Sequence, residues 1–144
     1  MCGITVYTGS DPEIKKRLES VEFAKLNHRG PDNTTVVDLK EEGWLGFHRL
    51  SIIDVSDAGN QPLINNDVYL VCNGEIYNYP QLREQYIGKY NFIGHSDCEV
   101  IIPMYLEYGM KETAYRLDAE FACVIYDSKK DKYLAARDPI GIRP

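Results

Sequence analysis

Val68-Tyr69-Leu70-Val71-Cys72-Asn73-Gly74-Glu75 is the stretch from which the rest of the chain can be read. Val68 to Cys72 alternates as a strand does, and the strand runs straight into Asn-Gly. Glycine there admits a backbone conformation, or a close approach, that other residues resist. The reading therefore places Asn73 and Gly74 at a strand end, where a side-chain amide and a backbone N–H can be aimed at one point. An Asn-Gly pair at a strand end is also a common turn, so its meaning depends on what surrounds it.

Working outward towards the start, Thr34 to Leu39 and Trp44 to Leu50 read as two strands joined by the polar connection Lys40-Glu41-Glu42-Gly43. Gly3 to Tyr7 reads as a first strand. Asp11-Pro12 then supplies an N-cap and a proline at the first helical position. Ile14, Leu18 and Val21 follow at i, i+4 and i+7, which predicts one apolar helix face ending before the turn His28-Arg29-Gly30-Pro31-Asp32. Asp54 to Pro62 reads as a long loop.

Towards the end of the chain, a short helix is expected over Gln81 to Ile87. A second should begin at Ser96, where Ser96 and Glu99 have capping-box spacing. Val100, Ile101, Met104, Tyr105 and Tyr108 are its expected packing residues, and Gly109 its stop. Pro103 conflicts with that helix, because a proline deep inside one removes a hydrogen bond. Phe121 to Tyr126 and Tyr133 to Arg137 read as closing strands about the charged turn Asp127 to Lys132. About seven strands and three or four helices, segregated and not strictly alternating, predict an α+β layered fold with largely antiparallel sheet.

With 144 residues, 44% of them hydrophobic, the chain has material for one core. A net charge of -6 without a basic run argues against nucleic acid and anionic membrane surfaces as partners. No apolar stretch approaches the roughly 20 residues of a spanning helix, and no secretory leader is evident, so a cytoplasmic protein is expected. The three histidines, His28, His48 and His95, lack metal-ligand spacing, so no metal is assigned. No phosphate-binding glycine loop is present, so the chain is not expected to bind ATP or any other cofactor by itself.

Of the four cysteines, Cys72, Cys98 and Cys123 have the apolar or strand-like settings of small buried hydrophobes. Cys2 does not. If Met1 is removed, Cys2 carries a thiol and a free α-amine, a nucleophile and a base on one residue. An α-amine titrates at about 7.7–8.0 in model compounds, so it can accept the thiol proton and return one to a leaving group. Asn73 and Gly74 could serve as an oxyanion hole, in which one donor is worth about 10²–10³ in rate. Arg49 offers a planar fork for a carboxylate, and Asp97 an anion for an ammonium. Each residue alone has a blander reading as a cap, a turn or a surface ion-pair residue.

Taken together, the motifs resemble the glutaminase domain of class II glutamine amidotransferases, and among these the asparagine synthetase pattern. The resemblance spans the whole chain. It is carried by Met1-Cys2-Gly3-Ile4, His28-Arg29-Gly30-Pro31-Asp32, Arg49-Leu50-Ser51-Ile52 with Asn60-Gln61-Pro62-Leu63, Asn73-Gly74-Glu75-Ile76-Tyr77-Asn78, and Ser96-Asp97-Cys98-Glu99-Val100-Ile101. It implies an N-terminal-nucleophile hydrolase fold, an αββα sandwich of two mainly antiparallel sheets. Cys2 would be the nucleophile, forming a thioester with L-glutamine, and Asn73 and Gly74 the oxyanion hole. Arg49, Leu50, Ser51, Ile52, Ile53, Asn73, Gly74, Glu75 and Asp97 would bind the substrate. Glutamate and ammonia would be the products, the ammonia passing to a synthetase domain or subunit that uses ATP and Mg to make asparagine from aspartate.

That synthetase domain is not within these residues, and the family's glutaminase domain continues beyond the motif at Arg143-Pro144. The expectation is therefore a C-terminally incomplete domain over 1-144, lacking its last strands. An open sheet edge invites association, with a partner or into a homo-oligomer. Two rival readings remain at this level. One is the glutaminase domain of another amidotransferase, of the amidophosphoribosyltransferase or glucosamine-6-phosphate synthase type. The other is a non-catalytic binding module that keeps the pocket.

Overall fold

The computed structural model describes Met1–Pro144. Its strands are β1 (Gly3–Tyr7), β2 (Asn33–Asp38), β3 (Trp44–Arg49), β4 (Leu63–Asn65), β5 (Val68–Ile76), β6 (Ala119–Asp127) and β7 (Lys132–Arg137). They form two wholly antiparallel sheets, one in the order β1-β3-β2 and one in the order β4-β5-β6-β7. The helices are α1 (Pro12–Arg17), α2 (Tyr79–Gln85) and α3 (Ile101–Arg116).

The two-residue period of the strands builds the layers. Along β5, Val68, Leu70, Cys72 and Ile76 join Phe121, Cys123 and Ile125 of β6 in a cluster of 16 buried residues that also takes in α2 and α3. The alternate residues face the other way. Val71 packs with Leu45 and Phe47 of β3 between the sheets, with Ile4, Val6, Tyr69 and Val124 around them. On the far face of β3, Trp44 and His48 pack on Phe23, whose ring lies 5.0 Å from the indole and 3.9 Å from the imidazole. Burying an aromatic or aliphatic side chain of this kind is worth about 1.5–3 kcal/mol, so both faces of β3 contribute to holding it central. The order of layers is the segment 12–29, the β1-β3-β2 sheet, the β4–β7 sheet, then α2 and α3. The α+β sandwich of two antiparallel sheets is therefore as the sequence leads one to expect.

Several local expectations change. Asp11 caps α1, accepting from the N–H groups of Glu13 and Ile14 at 2.9 and 3.2 Å. Ile14 and Val21 do not form a packed face, however: both are exposed, and the helix gives way to a π-helical turn (Leu18–Glu22) and a 3₁₀ segment (Phe23–Arg29). The anchors are Phe23, which is buried, and Trp44, whose Nε1–H donates to Glu19 Oε1 at 2.8 Å. The second helix starts and ends two residues earlier than expected, at Tyr79 and Gln85.

Ser96 makes no side-chain cap, and Glu99 reaches further back, accepting from the N–H groups of Ile93 and Gly94 at 2.6 and 3.1 Å. The first turn, Asp97–Val100, is 3₁₀, so α3 proper begins only at Ile101. Pro103 thus lies within the first α-helical turn, where its missing N–H would lack a helical partner anyway. Gly109, at φ 76°, interrupts the helical backbone where a stop was expected, but a second helical stretch continues to Arg116. Tyr108 is not a core residue; it is partly exposed beneath the Arg116 guanidinium, 4.3 Å from its ring.

Candidate active site

The antiparallel register Gly3↔His48 continues to set Cys2 beside the end of β3. The Cys2 thiol there meets both backbone polar groups of one residue: it accepts from Leu50 N–H at 3.4 Å and donates to Leu50 C=O at 3.6 Å. The Cys2 carbonyl accepts from Arg29 Nε at 3.1 Å. Arg29 is delivered by the turn at 28–32, and that turn can approach only because residue 30 is glycine, packed against the His48 and Arg49 backbone with no room for a side chain. His48 is buried behind this junction. Its Nε2 faces the Phe23 carbonyl at 2.9 Å and must carry the proton, so Nδ1 accepts from the Thr34 hydroxyl at 2.8 Å. The segment before the turn is thereby tied to the strand beside the thiol.

The other half of the site comes from β5. Val71 points between the sheets, so by the same period Asn73 and Glu75 do too, and they open on a cleft at the end of the small inter-sheet core. The cleft is open to solvent at its mouth and is lined by both polar and apolar side chains. Gly74 is needed for close approach: a Cβ would stand 2.6 Å from both the Glu120 carbonyl and Phe121 Cβ on β6. Asn73 is buried and carries its amide to the cleft wall.

Of the residues singled out in the sequence, Cys2, Arg49, Leu50, Ile52, Ile53, Asn73, Gly74, Glu75 and Asp97 all line this cleft. Ser51 does not. Its N–H donates to Asp32 Oδ2 at 2.8 Å, which holds it at the rim beside the 28–32 turn. Ile52 and Ile53 are exposed at the mouth.

Arg49 and Asp97 differ in how they are held. Arg49 is buried, and its Nη1 donates to the Ser56 carbonyl at 2.7 Å and to Asn60 Oδ1 at 2.8 Å, while Nη2 donates to the Asp54 carbonyl. Three of its five N–H donors are thus spent on the 54–60 loop, leaving Nε–H and one Nη2–H for a ligand. Asp97, also buried, accepts at Oδ2 from the Ile76 N–H at 2.7 Å, and no cation pairs with it. Burial pushes its carboxyl above the usual range, against the lowering effect of the backbone N–H groups of Ile76 and Cys98. A buried carboxylate without a counter-ion, on the wall of an open cleft, is a ready seat for a ligand cation.

The sequence did not single out Gln61, Asp54 or Arg143 as site residues, although Gln61 stood in a quoted motif. Gln61 side-chain atoms replace a strand: Oε1 accepts from the Cys72 N–H at 2.6 Å and Nε2 donates to the Cys72 carbonyl at 3.1 Å. They extend the ladder of β4, which ends at Leu63↔Leu70, alongside the residue before Asn73. Asp54 bridges two loops. Arg143 reaches the cleft from the final turn and pairs with Glu120. That turn is shaped by Asp138, whose Oδ1 accepts from Ile140 and Ile142 N–H groups at 3.0 and 3.2 Å. Nothing in local spacing announces these long-range roles.

The other cysteines are unlike Cys2. Cys72, Cys98 and Cys123 are buried together in the larger core. The Cys72 thiol is held well above its usual range by its thiol neighbours Cys123 and Cys98 and by burial. The Cys98 thiol is also raised, although its contact with Cys72 acts in the lowering direction; burial and the Asp97 charge outweigh it. No group of three or more His, Cys, Asp or Glu residues could hold a metal ion, and no helix is long and apolar enough to cross a membrane.

The sequence profile of the family described as "Glutamine amidotransferase domain" matches residues 1–144. A probable glutamine-hydrolyzing asparagine synthetase of Acanthamoeba polyphaga mimivirus is 42% identical over 151 residues, covering 100% of this chain and 27% of the relative. Asparagine synthetase B, glutamine-hydrolyzing, of Escherichia coli K12 is 42% identical over 148 residues, covering 100% of this chain and 26% of the relative. The chain spans about a quarter of the length of these curated relatives. Among solved structures, glutamine phosphoribosylpyrophosphate amidotransferase from B. subtilis, complexed with ADP and GMP, superposes with a TM-score of 0.60. That match covers 99% of this chain and 32% of the other at 24% identity, a likeness of fold.

Proposed function

The chain belongs to the glutamine amidotransferase domain family, and from that membership we propose that its cleft hydrolyses L-glutamine to glutamate and ammonia through a thioester on Cys2. One observation carries the reading: the half-buried thiol of Cys2 opens on the same cleft as Asn73, Gly74, Arg49 and an unpaired Asp97. A buried anion and a partly free guanidinium match the two charges at the α-carbon of glutamine, and the amide end is left for the thiol.

Removal of Met1, which itself lines the cleft, frees the Cys2 α-amine beside the thiol. The amine takes the thiol proton, and sulfur attacks the side-chain carbonyl carbon of glutamine. A C–S bond forms and the carbonyl electron pair moves to oxygen, where Asn73 Nδ2–H and Gly74 N–H, from residues on the cleft wall, are the proposed donors that stabilise it. The ammonium returns its proton to nitrogen, the C–N bond breaks and ammonia leaves. Water then adds to the thioester, giving a proton to the amine; the C–S bond breaks, glutamate departs and the thiol is restored. Cys72, Cys98 and Cys123 have no part in this.

The proposed recipient of the ammonia is a synthetase domain or subunit that makes asparagine from aspartate, with ATP and Mg²⁺ assigned there and not to these residues. The names and the greater length of the curated relatives support this reading. The test is glutamate release from glutamine by the protein with its synthetase partner, against the same assembly carrying Cys2→Ala. The variant is expected to lose at least about 10³-fold of the rate. Glutamate release at the parent rate would overturn the proposal.

A further inference from the structure

The two groups assigned to the α-carbon of glutamine stand on segments that share no backbone ladder. Arg49 leans on the 54–60 loop, and Asp97 follows Gly94-His95-Ser96. One side chain holds both. Asp54 is 7% exposed. Its Oδ1 accepts from the Ser56 N–H at 2.9 Å and the Ser56 hydroxyl at 2.7 Å, which shapes the loop, and its main-chain carbonyl accepts from Arg49 Nη2. Its Oδ2 crosses to the other segment and accepts from the His95 N–H at 2.7 Å.

There is no slack in this junction. A Cβ on Gly94 would stand 2.8 Å from Asp54 Oδ2 and 3.0 Å from the Ala58 carbonyl. The far side of the 93–94 segment is fixed by Glu99, which accepts from Ile93 and Gly94 N–H groups, and by Arg83, whose Nη2 donates to the Gly94 carbonyl at 2.6 Å. Asp54 therefore meets a segment that cannot retreat. Burial works against its charge, but the Ser56 hydroxyl, the His95 and Ser56 N–H groups and the nearby Arg49 charge hold its carboxyl down to about 2. It acts as a permanent acceptor with both oxygens used.

We propose that Asp54 is a positioning residue that fixes the separation between Arg49 and Asp97, and so makes the cleft select ligands carrying an α-carboxylate and an α-ammonium together. This rests on the glutaminase reading above. Asp54→Asn keeps the shape but replaces one accepting oxygen with an amide NH2, a donor that faces an N–H donor, so one of the two segments must let go.

The test compares two alkylators of Cys2 on the Met1-free protein. One is 6-diazo-5-oxo-L-norleucine, which carries the α-carboxylate and α-ammonium; the other is iodoacetamide, which carries neither. Asp54→Asn is expected to lower the ratio of their inactivation rate constants about tenfold, with the iodoacetamide rate within about twofold of the parent. In steady state the KM for glutamine is expected to rise about tenfold, with kcat changing less than about threefold. An unchanged ratio overturns the proposal, and so does a parallel fall in both rates, which would mean a general loss of structure. A parent protein whose Cys2 shows no preference for the glutamine-shaped reagent sinks the glutaminase reading itself, and this inference with it. If Asp54→Asn does not fold, Ser56→Ala removes only the hydroxyl donor and is expected to lower the ratio about threefold; no change there is equally fatal.

Discussion

Cys2 and the three other cysteines are separated by environment more than by chemistry. Cys2 is half-buried at an open cleft, whereas Cys72, Cys98 and Cys123 lie in the larger core, with the Cys72 and Cys98 thiols held away from ionisation. Alkylation by a glutamine-shaped electrophile is expected to fall on Cys2 alone, and peptide mapping of the labelled protein checks it. Asp97 supplies a second prediction. Its folded carboxyl is raised, so the folded protein binds a proton there more readily than the unfolded chain. Ionised Asp97 therefore costs stability, and the cost appears as pH rises from the unfolded carboxylate range through the raised folded value. Asp97→Asn is expected to raise the ligand-free melting temperature while raising the KM for glutamine at least about tenfold. A variant less stable than the parent, or one with unchanged KM, contradicts this. Membership of the cleft was legible in the sequence where a motif puts reactive types side by side, as at Asn73-Gly74. It was illegible at Asp54 and Gln61, whose partners lie 41 and 11 positions away and whose types fit any loop.

At the scale of elements, reading by period worked best where both faces of a strand are used. In β5, one face enters the larger core and the other the inter-sheet core, so its beginning and course follow from alternation. Its end does not, because the strand runs on to Ile76 and holds Asn73 and Gly74 inside the ladder, opposite Ala122 and Phe121, and not at the strand end that the sequence predicts. The same logic failed for the segment 12–29. Ile14, Leu18 and Val21 have helical spacing, but packing is decided by Phe23 against Trp44 and His48, and the backbone departs from α geometry to bring Phe23 there. Pro103 misled for a simpler reason: a 3₁₀ turn before the α-helix moved the helix start four residues on from Asp97, and the start decides whether a proline is costly. Gln61 gives a prediction at this scale. Gln61→Ala removes both side-chain bonds to the Cys72 peptide and leaves a buried N–H and C=O unmet, at a cost of about 2–3 kcal/mol. The melting temperature is expected to fall by roughly 4–10 °C, read by calorimetry or circular dichroism. The rate of glutamine hydrolysis is expected to fall with it even where the variant is fully folded, because the next residue is Asn73. A loss of stability with kcat untouched would confine Gln61 to a structural role.

The whole molecule is built around unequal cores. Sixteen buried residues join β4–β6 to α2 and α3, while only Leu45, Phe47 and Val71 are fully buried between the sheets. Native-state hydrogen exchange is expected to find the slowest amides in β5 and β6 and faster ones in β1 and β2, with the difference vanishing only if unfolding is a single global event. Although the short β4 strand, Leu63–Asn65, was not located in the sequence, the layered class was legible because many strands and segregated helices leave few other arrangements. The register of one sheet over the other was not, since it depends on side chains far apart in the chain, such as Phe47 and Val71. That register matters beyond stability. Cys2 rides on the first sheet, and Asn73 with Gly74 on the second. The sulfur proposed to react and the atoms proposed to receive the displaced charge are carried by separate slabs, and three apolar side chains act as the shim between them. The working gap of the site is therefore a thickness, and trimming or adding a single methyl group at Val71 should retune it without any polar group being touched.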